Sequence, residues 1–184
     1  MSATSRSFAR SLALVVALTG ATAACASLPG IAPLPSAVAT LLPQAQPRGG
    51  GELSWYGLPI YRGSLWSSDE SFSLDKPFVL DLVYRRAFSG AKIAQRSVEE
   101  MAQLGATPVD LARWGEAMAR IFPDVRAGDR ISGVHLPGRG ARFFHNGQPV
   151  GEIAEANFAR AFFGIWLDPR TSQPELRRQL LGQK

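Results

Sequence analysis

The chain has 184 residues, 46% of them hydrophobic, and its 20 basic and 15 acidic residues give a formal net charge of +5. The basic residues are scattered and do not form an aromatic-interleaved patch, which argues against nucleic-acid binding. Mild attraction to an anionic membrane surface or to an acidic ligand remains open.

The first 25 residues have the order of a secretory signal. Arg6 and Arg10 precede the apolar run 12–18, and small residues follow it. This run is too short to span a bilayer, and no other stretch of the sequence is long and apolar enough to do so. We therefore expect an exported protein without an integral membrane segment. Removal of residues 1–25 takes away two arginines and no acidic residue, which lowers the net charge to +3.

The only cysteine, Cys25, lies at the end of this signal, directly after Ala24. The pattern resembles a bacterial lipobox, in which the cysteine becomes the lipidated first residue, although Thr22 stands where that motif prefers leucine. Ordinary cleavage after Ala26 is the alternative. We favour lipidation at Cys25, and in either case the folded part contains no disulfide.

Residues 26–51 have the composition of a tether. They contain five prolines, end in three consecutive glycines and carry a single charge, on Arg48. Prolines at this density favour an extended, semi-rigid spacer. The sequence therefore predicts a spacer that connects a lipidated cysteine to one folded domain, residues 52–184.

The folded part is predicted to begin with strands. Two short aromatic runs, 52–56 and 59–66, are interrupted at Gly57, which indicates paired or bent strands. The run 78–84 alternates along its length and follows a turn-like segment at 75–77. We expect this third strand to be buried on at least one face.

Two helices are predicted next. The first, 89–104, has one apolar stripe and ends before Gly105, a residue that favours the C-terminal end of a helix. The second begins at Thr107, which offers a capping hydroxyl directly before a proline. Pro123 stops this second helix.

The last part of the chain returns to strands and then to helices. The strands are predicted at 130–136, 141–145 and 148–153. The dipeptide Asn146-Gly147 joins the last two, because both residues tolerate the positive φ of a tight hairpin turn. A helix is expected at about 157–166, and a short one from Ser172. This order predicts an α+β domain with an antiparallel sheet covered on one face.

Short motifs in a fixed order cover nearly all of the predicted domain. In chain order they are Gly57-Leu58-Pro59-Ile60-Tyr61, Leu65-Trp66, Tyr84-Arg85-Arg86, Ser97-Val98-Glu99-Glu100-Met101, Phe122-Pro123-Asp124, Gly128-Asp129, Asn146-Gly147, Phe162-Phe163-Gly164-Ile165-Trp166-Leu167 and Leu176-Arg177. From Leu53 to Gly182 the chain thus resembles the bacterial branch of the chalcone isomerase-like superfamily. The resemblance implies an open-faced β-sandwich: a curved antiparallel sheet, helices on one face, and a ligand cleft between them.

The same resemblance argues against the reaction of the plant enzymes. Plant chalcone isomerases close a flavanone ring with an arginine near the first strands and with a tyrosine and an asparagine on the helix after the third strand. Here Ile93 stands in the place of the tyrosine and Glu100 in that of the asparagine. The early arginine is missing, because Arg48 precedes its position and Arg62 follows it. We therefore expect no flavanone formation and assign no catalytic residue.

The many aromatic residues favour an apolar pocket in this cleft, since small-ligand sites are largely apolar with few polar groups. We predict four ligand contacts, Tyr61, Arg62, Trp66 and Phe162, with Arg62 binding a carboxylate or propionate. The alternative is that the aromatics only fill the core and that the arginine faces solvent on an edge strand.

The domain has two histidines, His135 and His145, on strands that we predict to be neighbours. Residues opposite one another on such strands come into contact, so this pair is a candidate set of ligands for a metal or a haem iron. No further Cys, His or carboxylate cluster helps to complete a site, which favours histidines without a ligand.

These observations predict an exported, lipid-anchored protein of the bacterial envelope, either periplasmic or attached to a membrane. Its predicted function is to bind an apolar ligand with an acidic head, such as a fatty acid or haem, without catalysis. Two alternatives stay open. One is an isomerase or lyase that acts on another substrate through arginine electrostatics. The other is a structural envelope protein whose cleft is collapsed.

Overall fold

The computed structural model describes residues 30–69 and 71–183, so the predicted signal and Cys25 lie outside the described residues. Six strands form one antiparallel sheet, and each strand pairs with the next along the chain. The strands are β1 (Gln46–Trp55), β2 (Leu58–Ser67), β3 (Phe78–Tyr84), β4 (Arg130–Leu136), β5 (Gly140–His145) and β6 (Gln148–Ile153). The predicted antiparallel sheet is confirmed.

Four helices pack on one face of this sheet, and a single turn of helix lies on the other face. The helices are α1 (Ser36–Ala39), α2 (Gly90–Gln103), α3 (Pro108–Ile121), α4 (Ala156–Leu167) and α5 (Pro174–Leu180), with α1 alone on the second face. The predicted caps form: the hydroxyls of Ser89 and Thr107 accept hydrogen bonds from the backbone N–H groups of Lys92 and Asp110. None of the described helices is long and apolar enough to cross a membrane.

The main core lies between the sheet and helices α2–α5. Alternate residues of each strand point into it, as the two-residue period of a strand requires. Aromatic side chains fill its centre, with Phe143 on β5 packed against Phe158 and Phe162 on α4. The fold is the α+β open-faced sandwich that the sequence predicts.

The predicted tether is wrong over residues 30–51. Residues 30–45 cross the outer face of the sheet, the face opposite α2–α5, and bury Val38 and Leu42 there. These side chains pack in a second apolar cluster with Val79, Val134 and Phe144. The prolines of this segment shape a packed crossing, since its apolar residues find partners on strands that are distant in sequence.

The three consecutive glycines at 49–51 belong to β1, where the sequence predicts the end of a semi-rigid spacer. A Cβ atom on Gly49 would lie 2.1 Å from the carbonyl oxygen of Gln179, and one on Gly51 would meet the Gln179 side chain. The glycines therefore let α5 pack directly on the backbone of β1. Their function is close approach, which composition alone does not distinguish from flexibility.

An ion pair lies beneath the N-terminal segment on the outer face. The Nε of Arg130 donates to both carboxylate oxygens of Asp81, at 2.7 and 2.8 Å, and the Ser132 hydroxyl donates to the same carboxylate at 2.6 Å. The Asp81 side chain is only 1% exposed. Arg130 also donates to the carbonyl oxygen of Ala32, so the pair ties β3 and β4 to the N-terminal segment.

Candidate functional site

A cavity of about 500 Å³ lies between the helix-covered face of the sheet and helices α2 and α4. This volume falls within the range of about 300–1,000 Å³ that is usual for small-molecule sites. Its lining is mostly apolar and includes Leu53, Trp55, Leu58, Ile60, Tyr61, Leu82, Tyr84, Phe88, Ile93, Phe122, Ile131, Phe162, Ile165 and Trp166.

The sheet register explains which strand residues reach the cavity. Tyr61 on β2 lies opposite Tyr84 on β3, and Leu82 on β3 lies opposite Ile131 on β4. Residues that are directly opposite on paired strands point to the same face, so all four side chains face the helices. They form the floor of the cavity.

Two tyrosines provide polar groups inside this apolar wall. The Tyr61 hydroxyl oxygen accepts a hydrogen bond of 2.8 Å from the Nε1–H of Trp166, which leaves the tyrosine's own proton free to be donated. The Tyr61 and Tyr84 rings meet edge to face, with centroids 5.8 Å apart. In both tyrosines, burial raises the pKa of the phenol well above the usual value for this side chain. Both hydroxyls therefore stay protonated and act as neutral donors.

Basic residues line the mouth of the cavity: Arg86, Lys92 and Arg96. Arg96 is paired, because it contacts Glu99 and Glu100 and its guanidinium lies 5.7 Å from the centroid of the Trp55 ring. Within the described residues, no carboxylate lies within 4.0 Å of the side-chain nitrogens of the other two. The mouth thus carries two cations that are free to meet an anionic group.

Glu100 is the acidic residue of the cavity lining. Its side chain is 9% exposed, and it accepts hydrogen bonds from the Ser172 hydroxyl, at 2.9 Å, and from Arg96. The carboxylate is thus held by partners on α2 and on the segment before α5. No histidine or cysteine occurs among the described residues that line the cavity.

Comparison with known proteins agrees with this architecture. Residues 60–182 match a family model described as chalcone isomerase-like. The chain belongs to the chalcone isomerase-like family. An uncharacterized protein from Haemophilus influenzae is 30% identical over 139 residues, which cover 75% of this chain and 68% of the relative. The resemblance to the bacterial branch is confirmed.

A solved structure shares the fold at low sequence identity. The crystal structure of a fatty-acid binding protein from Arabidopsis thaliana superposes with a TM-score of 0.56 at 13% identity. The match covers 76% of this chain and 87% of the Arabidopsis chain. It shows that the two proteins share the chalcone isomerase-like fold.

The two positions that the plant comparison singled out on α2 both line the cavity of this family member. Ile93 and Glu100 are seven residues apart, two turns of helix, and so lie on one face of α2. An aliphatic side chain at position 93 cannot supply the phenol of the plant enzymes. The expectation that this chain forms no flavanone rests on the residue types at positions 93 and 100.

The four predicted ligand contacts divide between the two faces of the sheet. Tyr61 and Phe162 line the cavity. Arg62 and Trp66 do not, and their prediction as contacts in this cleft is wrong. Adjacent strand residues point to opposite faces, so Arg62 cannot face the helices when Tyr61 does. Instead the Arg62 guanidinium lies beside Gly30, and Trp66 packs in the outer apolar cluster.

Several cavity residues were not predicted, although the sequence contains signals for them. Tyr84 on β3 lies opposite Tyr61 on β2, so the two side chains point to the same face of the sheet. Arg96 lies three residues after Ile93 and four before Glu100, which places all three on one face of α2. Trp166 lies one turn of helix after Phe162.

The predicted histidine pair does not form. His135 lies opposite Ala141 and His145 opposite Ile131, so the two are separated by four residue pairs, about 14 Å along the strands. Neither histidine lines the cavity. The structure therefore offers no pair of histidine ligands for a haem iron at these positions.

His135 instead forms part of the core. Its ring packs between Phe78 and Phe163, with centroids 4.7 and 5.4 Å away. The Nε2–H donates to the carbonyl oxygen of Leu74 at 2.7 Å, while the buried Nδ1 has no hydrogen-bond partner among the described residues. A proton on Nδ1 would lack an acceptor, and burial lowers the pKa of this imidazole below its ordinary value.

Because of the buried His135, we predict that the free energy of unfolding depends on pH. Because the pKa is lower in the folded state than in the unfolded chain, the unfolded state binds the proton first as the pH falls below about 6.5. We expect the free energy of unfolding to decrease from pH 7 to pH 5, and we expect the decrease to be smaller in a His135→Phe variant. Urea unfolding at several pH values measures this. His145→Gln, which keeps the buried imidazole, is the control, and an unchanged slope in His135→Phe would refute the assignment.

Proposed function

We propose that this chalcone isomerase-like protein binds a long-chain fatty acid in the cavity and does not convert it chemically. The observation that carries the proposal is an apolar cavity whose mouth holds two cations, Arg86 and Lys92, that have no carboxylate partner among residues 30–69 and 71–183. An apolar interior with charge at one end complements a hydrocarbon chain with an anionic head.

The interior favours the hydrocarbon chain. Leu82, Ile131, Phe162 and Ile165 come from the sheet and from α4, and together they offer apolar surface on both sides of the cavity. Each buried methylene group contributes about 0.8 kcal/mol of transfer free energy, so a long chain gains most of its affinity here.

The head group is assigned to the mouth. Arg86 follows β3 and Lys92 lies in the first turn of α2, so the two cations flank the N-terminal end of that helix. Hydrogen bonds between charged partners are about twice as strong as neutral ones, although exposure to water weakens them at this position. The carboxylate thus fixes the orientation, and the chain provides the affinity.

The related fold supports this proposal. The Arabidopsis structure with the same fold is titled a fatty-acid binding protein. By the resemblance to the plant enzymes, Ile93 and Glu100 stand where their tyrosine and asparagine would be, which favours binding over isomerisation. The separated histidines favour a fatty acid over haem as the acidic amphiphile.

The test is calorimetric titration of the delipidated protein with dodecanoic acid and with dodecanol. We expect both to bind, and we expect an Arg86→Ala/Lys92→Ala variant to bind the acid about 3- to 10-fold more weakly with unchanged affinity for the alcohol. Arg120→Ala, an exposed arginine on α3, is the matched control. Equal losses for acid and alcohol would show that the cations do not hold the head group.

A second variant tests the position of the chain. Ile93→Asp places a carboxylate on the cavity wall and should abolish binding of both ligands, because an apolar chain cannot pair with it. Val109→Asp changes an exposed apolar residue outside the cavity lining and should have no effect. Undiminished binding in Ile93→Asp would place the ligand elsewhere, and no binding to the unmodified protein would refute the proposal.

A further inference from the structure

Exposed apolar side chains are concentrated at the turn between β1 and β2. Four large hydrophobic residues are exposed in the described part of the chain, and three of them lie here. Trp55 is 51% exposed, Tyr56 92% and Leu58 52%. We call these three residues the aromatic turn. Scattered single apolar residues need no explanation, but a cluster at one turn indicates an interaction surface.

The backbone of the aromatic turn supports a role for the Tyr56 side chain. Tyr56 has a φ of +48° and Gly57 one of +77°, the left-handed pair of a tight hairpin turn. Asn146, the other non-glycine residue with positive φ in the described chain, belongs to a type that tolerates this conformation. A tyrosine does so only at a local cost. Its ring meets that of Trp55 edge to face, with centroids 5.7 Å apart, yet 92% of the residue remains exposed to solvent.

The aromatic turn is continuous with the mouth of the cavity. Trp55 and Leu58 line the cavity, while Tyr56 projects beyond it. Exposed charges surround this edge: Arg85, Arg86, Lys92 and Arg96 against Glu52 and Glu99. The balance is positive, which complements an anionic surface.

We propose that the aromatic turn inserts into the interface of an anionic lipid bilayer, so that the cavity mouth opens onto the lipid. Trp and Tyr prefer the headgroup region of membranes, and basic residues are attracted to an anionic membrane surface. An apolar ligand could then pass between bilayer and cavity without crossing water. The docking does not depend on the ligand proposed above.

The position of the N-terminal segment fits this orientation. Gly30 lies beside the guanidinium of Arg62. Along β2, Arg62 is four residues, about 14 Å, from Leu58 in the aromatic turn. Five residues can extend about 17 Å at most, so a lipid on Cys25, as predicted from the sequence, would hold the bilayer near this edge of the sheet.

The first experiment locates Trp55 relative to the lipid. Vesicles of phosphatidylcholine and phosphatidylglycerol that carry bromine-labelled acyl chains should quench tryptophan fluorescence of the full chain, and Trp55→Phe should remove that quenching. The result reports insertion of this side chain whatever else holds the protein to the vesicle. Quenching that is unchanged in Trp55→Phe, or no quenching while the protein is bound, would overturn the proposal.

The second experiment uses Tyr56, which does not line the cavity. Tyr56→Asn retains a residue suited to the turn and removes the aromatic ring, so folding should be preserved. We expect vesicle partitioning to weaken about 3- to 10-fold, with unchanged dodecanoate affinity; Val109→Asn is the matched control. Unchanged partitioning would contradict the docking. Vesicle insertion without any dodecanoate binding would refute the proposed ligand and leave the docking intact.

Discussion

A chain that begins at Glu52 is expected to lose the cooperative unfolding transition that a chain beginning at Gly30 retains. The shorter chain lacks the first six residues of β1 and the segment that covers Val79, Val134 and Phe144. Burial of Val38 and Leu42 alone contributes about 1.5–3 kcal/mol for each side chain, a large fraction of the 5–15 kcal/mol that stabilises a typical domain. Thermal unfolding followed by circular dichroism compares the two chains.

A point variant of the longer chain separates lost packing from lost chain length. Leu42→Ala should lower the unfolding free energy by about 2–5 kcal/mol, because the site is a buried apolar cluster. Leu41→Ala, beside it and only partly buried, should cost less. Equal melting temperatures for the chains that begin at residues 30 and 52 would show that residues 30–51 do not stabilise the domain and act as a tether.

The elements of the domain could be predicted because their signals are local. The helices α2 and α3 are marked by capping hydroxyls at Ser89 and Thr107, and the hairpin of β5 and β6 by Asn146-Gly147. Strand alternation and helix periodicity supply the rest. Short-range sequence patterns determine these features, so the element order follows from them.

The N-terminal segment could not be predicted from local patterns. Its Pro- and Gly-rich composition is typical of a linker, whereas its packing depends on partners such as Val134 and Gln179, which are far away in the chain. A glycine that permits close approach and a glycine that confers flexibility are identical in sequence. Only the tertiary contact at Gly49 distinguishes the two.

The errors at the site have a different origin, since the sequence contained the information. Tyr61 and Arg62 are adjacent in a strand and must point to opposite faces, so they could not both contact one ligand in the cleft. Similarly, His135 lies near the turn that joins β4 and β5, whereas His145 lies at the far end of β5. The hairpin register alone separates the two.

Replacement of Arg130 by alanine is expected to be among the most destabilising single changes on the outer face, at about 3–5 kcal/mol. Among the described residues, the Arg130 guanidinium is the cation that compensates the buried Asp81 carboxylate. In the variant, the hydrogen bond from the Ser132 hydroxyl would remain to that carboxylate. The variant would also lose the hydrogen bond to Ala32 that helps hold the N-terminal segment. Denaturant unfolding measures the loss of stability in this variant and in the control Arg142→Ala, whose ion-pair partner Glu152 is exposed. The control should lower the free energy of unfolding by less than about 1 kcal/mol.

A combined variant distinguishes an uncompensated charge from a loss of packing. If the penalty arises from the unpaired Asp81 carboxylate, the triple change Asp81→Leu, Ser132→Ala and Arg130→Met should recover most of the stability, because it removes every polar partner together. If the triple variant remains as unstable as Arg130→Ala, the arginine acts chiefly by holding the N-terminal segment at Ala32. The outer face would then depend on that tie more than on the ion pair.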